Sequence, residues 1–61
     1  MNHLNQIRNE VFAAVVRQHL NSRAAVRSAL IAEVAARGLT GLDARFVASW
    51  GMSAFGYGGG I

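Results

Sequence analysis

The chain contains no cysteine and no proline, and its cations are all arginine, with no lysine. Without cysteine there is neither a disulfide staple nor a thiolate metal site. The redox compartment is left open by that absence. The lack of proline removes the strongest helix breaker, and no glycine precedes Gly38. Acid is scarce, because Glu10, Glu33 and Asp43 are the only side-chain carboxylates. They are dispersed, and each has a structural task available. Glu33 pairs with Arg37 at i,i+4, Asp43 opens a helix, and Glu10 belongs to a polar face. No serine stands in a nucleophile elbow and no glycine-rich loop follows a strand. Sixty-one residues also offer little material to enclose a cleft. The expectation is a protein with no catalytic residues, no cofactor and no metal; His3 and His19 lack companions at metal-ligand spacing.

A long hydrophobic run is missing as well. Val11–Val16 is too short for a signal-peptide core and ends at Arg17. The uncharged C-terminal stretch is shorter than the ~20 residues a membrane span needs and is broken by glycines. Neither a secretory signal nor a membrane span is expected, which favours an intracellular or virion-associated location.

What is present up to Arg37 is helix-forming. Leu4, Ile7, Val11 and Val15 make one stripe, and Phe12, Val16 and Leu20 make another farther round the same helix. Ala25, Ala29, Ala32 and Ala36 then form a small-residue face, with Val26, Leu30 and Val34 on a bulky one. The faces stay in phase through Asn21–Ser22. Ser22 is an alternative N-cap, but no Glu or Gln follows three residues later to complete a capping box. The pattern therefore predicts one amphipathic helix over about residues 3–37, bent near Asn21, with a break into two helices as the alternative. The alanine face would permit close approach of another helix.

The next stop is explicit. Gly38 suits a left-handed C′ position, with Leu39 following and able to touch Val34. After this Gly-Leu-Thr-Gly turn, Thr40 reads as an N-cap for a short helix over about residues 41–50. Leu42, Phe46 and Trp50, at i,i+4,i+8, would fold back onto the body. Gly51 weakens that helix, and Gly56 with Gly58, Gly59 and Gly60 ends regular structure. The expected organisation is thus all-α, with a helical body over residues 1–50 and an extended glycine/aromatic tail over 51–61.

From Phe46 onward the chain has no charge, yet it carries Phe46, Val47, Trp50, Met52, Phe55, Tyr57 and Ile61. Burying each such side chain stabilises by roughly 1.5–3 kcal/mol. A chain this small buries only about 60% of its unfolded surface, so the excess points to association. Phe12, Val16, Leu20, Phe46, Trp50, Phe55 and Tyr57 are the expected interface anchors. Arg23 and Arg27, one turn apart, are expected to meet an anion or an acidic patch on a partner. The functional expectation is a small structural subunit docking among other protein subunits, by analogy with virion components and accessory subunits of large complexes.

Two other readings compete. Residues 31–48 faintly resemble a helix-turn-helix, with a small-residue helix, a glycine turn and a second helix. That second helix offers only Arg45 for base reading, beside the repelling Asp43. No arginine adjoins Trp50, Phe55 or Tyr57 in sequence, which weighs against stacking on single strands. The other reading is a ribosomally made peptide precursor with a helical leader and a glycine/aromatic core, although thioether chemistry is excluded without cysteine.

Overall fold

The described residues form three helices of equal length: α1 (His3–Val16), α2 (Arg23–Ala36) and α3 (Gly41–Ala54). The structure is a computed structural model and describes residues 3–57. Each helix packs on the other two, and the longest extent of the bundle is 32 Å. The core is Val11 and Val15 of α1, Val26, Leu30 and Val34 of α2, and Val47 and Met52 of α3.

Over residues 3–37 the alternative holds, and two helices stand in place of the single bent one. An unbroken rod of that length would span about 50 Å and could not lay its two valine stripes against each other. Breaking it lets Val11 and Val15 meet Val26 and Leu30, all fully buried. Local chemistry permits the break. The Gln18 and His19 N–H groups donate to the Val15 and Val16 carbonyls and tighten the end of α1. His19 then takes a left-handed conformation, φ 53°. Ser22 is extended, and its Oγ accepts from the Ala25 N–H at 3.1 Å, so the hydroxyl caps α2 without a capping box.

All three helices are followed by a related pair of residues. A left-handed residue (His19, Gly38 or Gly56) is followed by an apolar one (Leu20, Leu39 or Tyr57) that packs against the core. At Gly38 and Gly56 the full paired-bond terminator is present: Leu39 N–H donates to Val34 O and Tyr57 N–H to Met52 O, with Gly38 on Ala35 and Gly56 on Ser53. His19 is the one site where a Cβ bears the cost of that conformation. His19→Gly is expected to stabilise the fold by about 0.5–1 kcal/mol, the steric relief exceeding the added unfolded-state entropy. Thermal unfolding followed by circular dichroism should show a rise of a few degrees.

The rotation of α3 departs from the expected one. Leu42, Phe46 and Trp50 were to face the body, yet Leu42 is 81% and Phe46 42% exposed. The inward residues are Val47, Ala48, Gly51 and Met52. Gly51 explains this. It leaves room for Leu30, whose Cδ2 lies only 2.7 Å from where a Cβ at Gly51 would sit. The helix turns its bare side to α2 and packs closer there than any side chain would allow. A glycine that weakens the isolated helix is the residue against which Leu30 packs in the fold.

The end of the chain also differs from expectation. The helix predicted to stop near residue 50 continues through Gly51 to Ala54, because burial of Met52 outweighs the ~1 kcal/mol glycine penalty. Phe55 and Tyr57 stay on the body, so no extended tail begins at residue 51. The remaining part of the expected tail, residues 58–61 including Ile61, lies outside the described residues. On α2 the alanine face is not the packing face of the bundle. Ala29 touches the core, but Ala32 and Ala36 are exposed, because the bulkier Val26–Leu30–Val34 stripe removes more apolar area from water.

Candidate interaction surface

Turning α3 onto Gly51 pushes Leu42 and Phe46 outward, since residues about half a helical turn from the buried face must meet solvent. Across the gap between α2 and α3, Ile31 is likewise 42% exposed. Together these elements bound a groove of about 710 Å³. Val34, Ala44 and Ala48 form its less exposed base, while Ile31, Leu42 and Phe46 stand exposed at its margin. The polar lining side chains are Arg45 and Ser49. Small residues at 44 and 48 open the groove, and the bulk at 31, 42 and 46 gives it walls.

A second feature joins α1 to α3 through aromatic rings. Phe12 meets Trp50 edge to face, ring centroids 5.6 Å apart, and tilts against Phe55 at 4.9 Å. Arg8 lays its guanidinium over the Trp50 ring, 4.4 Å from the centroid. Its Nε is buried without a hydrogen-bond partner among the described residues. The ring face is therefore its evident electrostatic counterpart. An arginine does neighbour Trp50 in space, although none does in sequence; α1 and α3 bring the pair together.

The expected interface residues thus fall into separate groups. Phe12, Trp50 and Phe55 make one half-buried cluster within the bundle, and Leu20 and Tyr57 lean on the core. Val16 is 42% exposed at the end of α1. Phe46 alone of that set lines the groove. Ile31 and Leu42, absent from the expected anchors, complete its apolar margin. The i,i+4,i+8 spacing of Leu42, Phe46 and Trp50 marks a stripe without saying which way it faces. Arg23 and Arg27 are exposed on the first two turns of α2.

Charge is distributed unevenly in its use. Arg37 reaches Glu33 at 2.5 Å and Glu10 at 3.9 Å, tying α1 to the end of α2. Asp43 lies in the first turn of α3, where a carboxylate complements the helix dipole. Glu10 and Glu33 are thus engaged within the chain. Among the described residues no ion pair involves Arg17, Arg27 or Arg45. Also among the described residues, no group of three or more His, Asp or Glu is placed to hold a metal ion, and no helix is long and apolar enough to cross a membrane.

These features define a small three-helix bundle with an apolar groove lined in part by Arg45. In comparisons with family models, curated proteins and solved structures, nothing matched the chain.

Proposed function

We propose that this protein is a small non-catalytic interaction subunit that docks in a larger multi-protein assembly through the α2/α3 groove. The observation carrying this reading is the exposure of Leu42, 81%, beside Phe46 and Ile31 around a shared depression. A lone exposed leucine is ordinary; three large apolar side chains around one groove form a surface that gains from being covered. The aromatic end of the chain contributes less than the sequence alone implied, because Phe55 and Tyr57 pack on the body of the bundle. The reading therefore rests on the groove and not on a tail.

A protein partner suits this surface better than duplex DNA does. The outward stripe of α3 is Leu42, Phe46, Ser49 and Ser53, with Arg45 as the cation alongside. Phosphate recognition calls for several cations on one face.

The test is a Leu42→Ser, Phe46→Ser double variant expressed in the native source beside the unchanged chain. The unchanged chain is expected to elute in a particle well above its own 6.5 kDa, and the variant as a monomer with unaltered helix content. Elution of the unchanged chain as a monomer from gently lysed cells would remove the basis for the reading.

A further inference from the structure

We infer that the groove takes an amphipathic helix with acidic flanks from a different protein, its carboxylates meeting Arg45. This rests on the docking reading above and adds the chemistry of the occupant. The apolar part of the argument is shape. Two helices with small residues at Ala44 and Ala48 between Ile31, Leu42 and Phe46 leave an open trough, the geometry into which a third apolar helix face lies with anchors at i, i+4 and i+7.

The charge part comes from what the chain has already used. Glu10 and Glu33 are both engaged by Arg37, and Asp43, exposed in the first turn of α3, is not among the residues that line the groove. Arg45 lines the groove with no ion-pair partner among the described residues, and Arg27 lies one turn before Ile31 on α2, also without one. The charge left for a partner is therefore positive, in keeping with the net +3 of the chain. A second copy would bring the same unpaired arginines and the same excess, so like charges would oppose self-association. An acidic helix reverses the sign, and the exposed rim position of Arg45 makes it a selector of partner more than a source of affinity.

The experiment uses the full chain and three synthetic amphipathic helix peptides with leucines on one stripe and glutamate, glutamine or lysine on the flanks. Binding is followed by amide chemical shifts at low salt and again at physiological salt. The glutamate peptide is expected to bind about tenfold more tightly than the lysine peptide at low salt, the sum of a few exposed pairs. The gap should narrow as salt screens it. Shifts should centre on Ile31, Ala48 and Phe46; Leu42→Ser should weaken all three peptides, and Arg45→Glu should invert the preference. Equal binding of the three peptides, unchanged by Arg45→Glu, would overturn the acidic assignment while leaving docking intact. Absence of binding by every peptide would overturn the groove as a helix site. So would concentration-dependent dimerisation abolished by Leu42→Ser, which would make the occupant a second copy. Stronger shifts at the same residues from duplex DNA would overturn the choice of a protein.

Discussion

Leu30→Ala is expected to leave the chain largely unfolded at 25 °C. Leu30 is among the largest fully buried side chains, and it fills the space above Gly51 between α2 and α3. Truncating such a leucine typically costs about 2–5 kcal/mol, from lost transfer free energy and an unfilled cavity. The cavity here has a bare glycine on one wall, so no neighbouring side chain stands ready to collapse into it. A chain of this size draws roughly 3–5 kcal/mol from its core, and with no cysteine it has no disulfide in reserve. Far-ultraviolet circular dichroism should show most of the helical signal gone. Trp50 emission should shift to the red as Arg8 and Phe12 leave the ring. Retention of a cooperative transition within a few degrees of the parent would contradict the packing described.

Gly51→Val is expected to be the next most damaging change, at about 2–3 kcal/mol. Its new Cβ would stand 2.7 Å from Leu30 Cδ2 and 3.0 Å from Cδ1. The ends of a leucine side chain can usually move aside, but this one is fully buried. On helix propensity alone the substitution would be mildly stabilising, since glycine is the worse helix former. Propensity and packing thus predict opposite signs, and chemical denaturation of the variant decides between them. The paired substitution Leu30→Ala with Gly51→Val returns volume to the same space. It should be more stable than the sum of the two single changes implies, by an interaction energy on the order of 1 kcal/mol or more. Strict additivity would mean that residues 30 and 51 do not meet.

The two variants probe the feature that also shapes the candidate site. If α3 turned its Leu42–Phe46–Trp50 stripe inward, that apolar groove margin would be lost. Because Gly51 admits Leu30, the helix settles with Val47 and Met52 inward, and Leu42 and Phe46 are left outside. Core packing and the docking surface are two consequences of one contact. The Leu42→Ser change tests the surface without touching the core, since that side chain is mostly in solvent.

Local signals were legible where the chemistry is local. The helical character of the three segments follows from the apolar spacing and the absence of proline. The stop at Gly38 follows from the need for a left-handed residue, and Leu39 follows it onto the core as that motif requires. The Glu33–Arg37 pair is set by i,i+4 geometry alone. The break at residues 17–22 was legible only as an alternative, through Ser22 as an N-cap. Its stripes stay in phase through Asn21, and His19 is a weak left-handed signal beside glycine. Only the gain from folding the valine stripes together selects two helices over one.

Which side of α3 faces inward belongs to the tertiary structure. Two stripes on that helix are apolar, and hydrophobicity ranks Leu42, Phe46 and Trp50 above Val47, Gly51 and Met52. The space that Gly51 leaves for Leu30 reverses that ranking, because packing density depends on the shape of the neighbouring helix as well as on transfer energy. Contacts between α1 and α3, such as Arg8 over Trp50, are likewise fixed only once the bundle closes. Segment type is written in neighbouring residues; the outward face, and with it the groove, depends on a leucine and a glycine that meet only in the folded bundle.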